Sequence, residues 1–337
     1  KTRNVAIIID EATKLKNPKS KLTQTYFELS PLFKKKLILT GTPVANRPYD
    51  IWAQIYFLDQ GKSLGNNFSE FKKQTDLSNK LSENKNLQEA FEEELAGIFE
   101  KIRSFSVRKT KNSGIISLPD KIYIREETEL TPEQNALYNK IREELKVEVI
   151  KNGKKIIDDS SAMVKRLLRL VQVTSNPLLV DESFKGKSAK EAVLSELIKS
   201  ILAKGEKCIV WTNFIQNVDY FHKLYSKFGS VKIHGGMRIA DRNRSVEKFR
   251  SENYKVLFAT PASAKESLTL TEANHVIFYD RGFSLDDYLQ AQDRIHRISQ
   301  TKTCYVHNII TKGTIDEWID VLLYAKQNAA SLVQGDM

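Results

Sequence analysis

The chain has 337 residues, 41% of them apolar and 28% charged, enough for two packed domains. No apolar run approaches the roughly 20 residues of a membrane span, and two cysteines, Cys208 and Cys304, exclude a disulfide framework and a four-thiolate zinc site. A net charge of +11 suits an acidic polymer as partner, or simply a soluble basic enzyme.

The cysteine usage fits a reducing compartment. The first residue is Lys1 rather than Met, so the chain reads as an internal piece of something longer. Residues 1–60 alternate short apolar runs with polar turns. Residues 5–9 and 37–39 read as strands buried on both faces of a parallel sheet. The first ends in Asp10-Glu11 and the second in Thr40-Gly41-Thr42-Pro43. Helical spacing of Ile51, Ile55 and Leu58 marks a helix over 50–58.

Residues 61–180 read as mostly helical and highly charged. One helix covers 87–102. Another opens at Thr131-Pro132-Glu133-Gln134, where Thr131 caps, Pro132 suits the first helical position and Gln134 closes a capping box. Residues 151–155 read as an exposed turn, and a basic amphipathic helix over 162–173 is stopped by Pro177. Lys185-Gly186-Lys187-Ser188 forms a hinge.

Beyond it, five strands are predicted, at 208–211, 231–233, 255–258, 276–279 and 305–310. The helices between and before them are predicted at 189–203, 217–228, 242–250 and 284–298. Such alternation specifies a parallel sheet covered on both faces.

Three segments carry chemistry. Asp10-Glu11 leaves a buried strand, where one carboxylate can hold Mg²⁺ through water and its neighbour can orient an attacking water. Taken alone, the pair reads first as a solvated acidic turn. Thr40-Gly41-Thr42 combines small hydroxyls with a glycine that lets a ligand or a loop approach closely. On a continuous helix Gln290, Arg294 and Arg297 share one face, and two guanidinium forks there match phosphate oxygens. A solvated basic face is the alternative.

In this order, the segments resemble the SWI/SNF-like family of superfamily 2 helicase-like ATPases over nearly the whole chain. Residues 5–20 resemble motif II, and residues 37–43 resemble motif III, with Asn46-Arg47-Pro48 and Asp50-Ile51-Trp52 following. Residues 105–111 with Leu118-Pro119 resemble the end of the first lobe's helical protrusion. Residues 130–138 and Asn176-Pro177-Leu178-Leu179 resemble the start and end of the second protrusion. Residues 209–214 resemble motif IV, and Gly235 to Arg242 with Phe249 resemble the segment after it. Residues 290–300 resemble motif VI, and Lys312-Gly313-Thr314-Ile315-Asp316-Glu317 a typical tail of the second lobe.

The resemblance implies an α/β fold of RecA-like parallel sheets with helices on both faces. A partial lobe 1 would occupy 1–60, helical protrusions and a linker 61–184, a complete lobe 2 185–325, and a tail 326–337. ATP and Mg would be the cofactors. By resemblance Asp10 binds Mg²⁺ and Glu11 activates water, with Glu11 sharing the metal site largely through water. Gly41, Thr42 and Gln290 line the nucleotide, while Arg294 and Arg297 act as arginine fingers. Thr40 and Thr42 couple nucleotide state to the DNA path. DNA contacts fall to Thr40, Trp211, Thr212, Asn213, His234, Gly235, Thr260, Arg108 and Lys109.

The implied activity is DNA-stimulated ATP hydrolysis. It would drive translocation on double-stranded DNA and remodel or displace a DNA-bound protein complex. The motor would be monomeric or one subunit of a larger assembly, with no membrane partner. It would work on the cytoplasmic nucleoid of a prokaryote or in a eukaryotic nucleus. Lysine outnumbers arginine 38 to 15, which favours an AT-rich prokaryotic genome.

Departures from the family pattern bound these expectations. No phosphate loop G-x-x-x-x-G-K-[ST] precedes Asp10. Gly61-Lys62-Ser63 lacks its first glycine, since Tyr56 stands there, and reads as an inter-helix loop. The chain is therefore expected to lack the first half of lobe 1 and to hydrolyse nothing alone. Thr13 replaces a frequent histidine. In motif V, Ala264, Lys265 and Ser267 replace glycines, and a loop needing positive φ would be strained by them. Two alternatives stand beside the motor reading: a non-catalytic DNA-binding scaffold, and a motor subunit of a restriction or phage-defence complex.

Overall fold

The computed structural model describes residues 5–44, 46–78, 84–109, 117–151, 160–265 and 268–336, without the side chains of 145–151, 160–164 and 264–265. Most of the turn expected at 151–155, Lys111, and the motif V residues Glu266 and Ser267 lie outside the described residues, as does the Lys265 side chain. The chain forms two compact units: Lys1–Thr110 with Ser284–Asp286 and Leu322–Met337, and Lys111–Phe283 with Asp287–Val321. The region 61–184 is thus divided between them.

In the first unit, β1 (Ala6–Ile9) and β2 (Lys35–Ile38) pair in parallel, with Ile9 beside Ile38. Helix α1 (Lys21–Leu29) connects them, and Ser20 caps it by accepting from Thr23 N at 3.2 Å. Next come α2 (Asp50–Asp59), α3 (Phe68–Gln74) and α4 (Lys85–Ile102). Their shared core sets Trp52, Phe91, Leu95 and Ile98 against Ala329, Ala330 and Val333 of the C-terminal helix.

The strands are not buried on both faces as expected. Ile8 is 64% exposed and Leu37 49%, while Ile7, Ile9 and Ile38 are half-buried. Only one side of this two-stranded sheet is packed within the described residues.

Gly61-Lys62-Ser63 is a turn. The Gly61 and Ser63 N–H groups both donate to the Asp59 carboxylate at 2.9 Å, which takes the donors a phosphate would need. Gly61 has φ +86°, and a Cβ there would lie 1.8 Å from Asn66 Oδ1, so glycine is required.

The second unit carries a six-stranded, all-parallel sheet. Its strands are β3 (Lys121–Thr128), β4 (Cys208–Trp211), β5 (Ser230–Ile233), β6 (Val256–Ala259), β7 (His275–Phe278) and β8 (Cys304–Thr311), in the order β3-β8-β7-β4-β6-β5. All five predicted strands are present. β3 was not expected, because its zone reads as helical. It pairs along its whole length with β8, from Lys121 beside Cys304 to Thr128 beside Thr311.

Helices α5 (Pro132–Lys151), α6 (Ser160–Ser175), α7 (Ala189–Ala203), α8 (Ile215–Leu224), α9 (Ile239–Arg250), α10 (Leu285–Gln292) and α11 (Ile315–Gln334) complete the fold. Successive strand residues point to opposite faces, so each strand feeds two cores. Ile209, Trp211, Leu257, Val276, Phe278 and Val306 pack with Val246 and Phe249 on one face. Cys208, Val210, Phe258, Ile277 and Ile309 pack with Leu194, Ile198 and Phe221 on the other. No described helix is long and apolar enough to cross a membrane.

Thr131 caps α5 as expected, accepting from Gln134 N at 3.2 Å. The Gln134 side chain does not close a capping box. It donates to Val173 O at 2.8 Å and accepts from Ala189 N at 3.0 Å, joining α5 to the ends of α6 and α7.

A buried ion pair fixes the start of α11. Lys190 Nζ lies 2.6 Å from Asp316 Oδ2, with side chains 1% and 5% exposed. The same carboxylate accepts from Thr174 Oγ1 at 3.1 Å and Thr311 N at 3.0 Å. Removing one partner of such a pair leaves an uncompensated buried charge, so Asp316→Ala should lower stability by about 3–5 kcal/mol, read by urea denaturation.

Candidate functional site

The carboxyl ends of parallel strands are where open α/β sheets bind ligands. In the first unit, Asp10-Glu11 follows β1 and Thr40-Gly41-Thr42 follows β2. The two loops are stitched together beyond the strands, with Leu39 N donating to Ile9 O at 2.8 Å and Ala12 N to Leu39 O at 3.0 Å. Asp10 and Glu11 are exposed, and Thr40 and Thr42 half-buried. Glu11 adopts φ 53°, ψ 49°, a left-handed conformation costly for a residue with a Cβ. Its N–H donates to Asp10 Oδ1 at 2.9 Å. Such stored strain clusters at working sites. A Cβ at Gly41 would meet nothing within 4 Å, so the surrounding protein leaves open space beside this loop.

Among the described residues no three His, Cys, Asp or Glu side chains group to hold a metal ion. Asp10 and Glu11 offer two hard oxygen donors. Mg²⁺ fits such a pair when waters and phosphate oxygens complete its shell.

In the second unit, Thr212, Asn213, His234, Gly235 and Thr260 share the carboxyl edge of the sheet, following β4, β5 and β6. Trp211 and Thr212 are 1% and 0% exposed, so their side chains belong to the interior. Thr212 Oγ1 donates to Asp280 Oδ2 at 2.5 Å, and Asn213 offers its N–H and Nδ2 to Asp280 Oδ1 at 2.7 and 2.8 Å. Ser175 Oγ adds a bond to Oδ2 at 2.7 Å. Asp280 is thus a buried hub that the sequence reading missed. Its only local signal is a lone acid at the end of an apolar run. Burial pushes the His234 imidazole below its ordinary value, so the ring is neutral near pH 7. Arg108 is already bidentate on Asp336, its Nε bond being 2.6 Å, while Lys109 is exposed.

The helix expected over 284–298 ends at Gln292, so Gln290, Arg294 and Arg297 do not share a helical face. Beyond it, the amides of 293–295 still bond back to 289–292, and bonds to a distant segment are added. Leu270 N donates to Arg294 O at 3.0 Å, and Gln300 Nε2 donates to Ala273 O at 2.9 Å and Ile295 O at 3.0 Å. Arg294 is 6% exposed and donates from Nη1 to Leu268 O at 3.2 Å. Arg297 is half-buried, with Nη1 on Thr269 Oγ1 at 2.8 Å and Nε on Asp293 O at 3.2 Å. Both arginines thus bond to the 268–269 segment, and Arg297 also to the carbonyl of Asp293. In motif V, Pro261–Lys265 forms a 3-10 turn. The only described non-glycine residues with positive φ are Glu11 and Gln60. The strain expected at Ala264 and Lys265 does not arise.

Parallel sheets with helices on both faces, an acidic pair at one strand end and paired arginines after a late helix define a RecA-like ATPase core. The SNF2-related domain family matches residues 1–179 and the helicase conserved C-terminal domain residues 189–299. The chain belongs to the SNF2-related family of ATP-dependent, helicase-like proteins.

It is 32% identical over 337 aligned residues to YwqA of Bacillus subtilis (strain 168), a candidate ATP-dependent helicase/translocase; the match covers 95% of this chain and 34% of that protein. It is 27% identical to the human SWI/SNF-related matrix-associated actin-dependent regulator of chromatin subfamily A member 1, over 93% of this chain and 30% of that protein. Among solved structures, the Sulfolobus solfataricus SWI2/SNF2 ATPase core in complex with dsDNA matches with a TM-score of 0.53 at 28% identity, over 98% of this chain and 69% of that one. The chain thus spans about a third of the length of these curated relatives.

Lys326 in the first unit lies in the field of Arg47, Asp50 and Lys16. Burial pushes its amine down to about 8, Arg47 and Lys16 add to this, and Asp50 opposes it. Between about 8 and the ordinary value of 10.5, the folded chain binds fewer protons than the unfolded chain, so stability rises with pH across that window. In urea titrations over this range, Lys326→Met should lack that rise relative to the parent.

Proposed function

We propose that this chain is the motor portion of a DNA-stimulated ATPase that translocates on double-stranded DNA and displaces or remodels protein bound there. The observation that carries the reading is the union, in one SNF2-family chain, of the strained Asp10-Glu11 turn beside Thr40-Gly41-Thr42 with Arg294 and Arg297. Bound Mg²⁺ would neutralise phosphate charge. Asp10 would hold it, largely through water. Glu11 would orient and deprotonate the attacking water. Gly41, Thr42 and Gln290 would contact the nucleotide. Arg297, the more accessible of the two arginines, and Arg294 would stabilise charge on the transferring phosphoryl group.

Because these 337 residues contain no G-x-x-x-x-G-K-[ST] phosphate loop, the chain alone would hydrolyse no ATP. A longer protein carrying it would supply that loop.

DNA phosphates would be met by Thr40, Asn213, Gly235, Lys109 and other exposed groups. The buried side chains of Trp211 and Thr212 would shape the edge that presents them. Thr260, 7% exposed, would act in the same way. Arg108 would join only on leaving Asp336, and neutral His234 would contribute a hydrogen bond rather than charge. A DNA-bound protein complex would be the substrate that is moved, in the nucleoid of a prokaryote.

In the longer protein, Glu11→Gln and Arg297→Ala should each reduce DNA-stimulated ATP hydrolysis by at least ~10³-fold. Retention of the parental rate in both variants would overturn the assignments. For the chain itself, duplex affinity should fall steeply from low to moderate salt as released counterions are paid back. A flat response would exclude the phosphate contacts.

A further inference from the structure

On the α7 face of the second unit's sheet, four ionisable side chains from four segments form an unbroken hydrogen-bonded row. Glu206 Oε2 lies 2.8 Å from His275 Nε2. His275 Nδ1 lies 3.1 Å from His307 Nε2. His307 Nδ1 lies 3.0 Å from Glu126 Oε1. The rings are nearly parallel, 18° apart, and Tyr305 stacks on His275 at 4.7 Å. His275 and His307 are 3% and 5% exposed. None of these residues belongs to the ATPase site proposed above.

Each of the three contacts needs one proton. Two neutral imidazoles carry only two N–H groups between them. If both serve the carboxylates, two ring lone pairs face each other at 3.1 Å. If one serves the middle contact, a carboxylate faces a lone pair. Two imidazolium rings carry four, and then two N–H groups collide in the middle. Only three protons satisfy all three contacts, and with both carboxylates ionised the row then has a net charge of −1.

We propose that Glu206, His275, His307 and Glu126 form a single proton-binding site, holding one imidazolium proton shared between the two rings, and that losing this proton or gaining another opens one contact of the row. The most exposed end is Glu126 on edge strand β3, whose side chain is 26% exposed, so the β3–β8 side-chain tie is the contact that yields.

The surroundings bear on both steps. Burial pulls each ring below its ordinary value, and Lys204 at the end of α7 adds to this, while Glu206 and Glu126 oppose it. The neighbouring ring further disfavours charge on His275. These effects oppose the shared proton as well as a second imidazolium; what holds the shared proton against them is its place in the three hydrogen-bonded contacts between two carboxylates, which only a third proton satisfies. Burial raises Glu206, but bonds from His275 and Asn274 together with Lys302 hold it below its ordinary value, keeping it ionised. Across β4, Cys208 is pushed up to about 12 by burial and stays a neutral thiol. A titration shared in this way belongs to the pair rather than to either ring.

The pH signature follows. In the unfolded chain both rings titrate near about 6.5, binding two extra protons below that pH and none above it. The folded row binds one extra proton on both sides. The unfolded state therefore holds the excess below about 6.5, where stability rises with pH, and the folded state holds it above, where stability falls with pH. The contribution peaks near the ordinary imidazole value, each limb approaching about tenfold in the folding constant per pH unit.

The test is ¹⁵N NMR of the histidine-labelled 337-residue chain, which has five histidines. His275 and His307 should keep three N–H protons through the range where an ordinary imidazole titrates, and should change together in one step above it. In His307→Gln, His275 should titrate alone and the stability peak should vanish. Glu126→Gln, on the partly exposed edge, keeps the test open if His307→Gln fails to fold. It should move the joint step to lower pH, because a carboxylate favouring the shared proton is gone. Two N–H protons near neutrality, four in mild acid, or a joint step unmoved by Glu126→Gln would overturn the proposal.

Discussion

The carboxyl edge of the larger sheet depends on one buried anion. Asp280 is 1% exposed, and no salt bridge to a lysine or arginine compensates it among the described contacts. Its charge is met instead by hydroxyl and amide donors from Ser175, Thr212 and Asn213. Asn217 Nδ2 extends the network by donating to Ser175 Oγ at 2.8 Å and to Thr212 Oγ1 at 3.2 Å. A buried carboxylate left short of donors is costly, so the end of α6, the loop after β4 and the end of β7 have to converge on it. That convergence fixes where residues 212 and 213 stand, and hence the edge on which the proposed DNA contacts lie.

The smaller unit solves a different problem. Two parallel strands alone make a weak sheet, and here only one of their faces is packed. What gives the strand ends definite geometry is the pair of backbone bonds that continue past β1 and β2, together with the left-handed turn at Glu11. The strain at Glu11 aims two carboxylates away from the core instead of letting the chain run on as a strand. Phe27 of α1 packs on Tyr56 and Trp52 of α2, with ring centroids 4.7 and 6.3 Å apart, which ties the two helices together.

The arginine segment shows how tertiary bonds override local pattern. Residues 284–298 have helical spacing, and the first eight helical positions obey it. Past Gln292 the Arg294 carbonyl accepts from Leu270 N, and the Gln300 side chain ties this segment to the distant one by donating to Thr271 O, Ala273 O and Ile295 O. Each guanidinium group bonds to the 268–269 segment, Arg294 to Leu268 O and Arg297 to Thr269 Oγ1.

From the sequence alone, the strands of the larger sheet were legible, because runs such as Cys-Ile-Val-Trp and Val-Leu-Phe-Ala must bury both faces and have few other ways to do so. The family was legible as well, because its motif segments stand in the same order along the chain, and the SNF2-related and helicase C-terminal families match residues 1–179 and 189–299. Strand β3 was not, because Lys-Ile-Tyr-Ile-Arg-Glu-Glu-Thr is too polar to declare itself; only β8 lying beside it makes it a strand. Nor were the end of α10, the one-sided packing of β1 and β2, the Asp280 hub or the paired histidines. Each arises from hydrogen bonds or packing between segments tens to more than a hundred residues apart. Local periodicity records which side chains avoid water, whereas the identity of a polar group's distant partner exists only once the chain has folded.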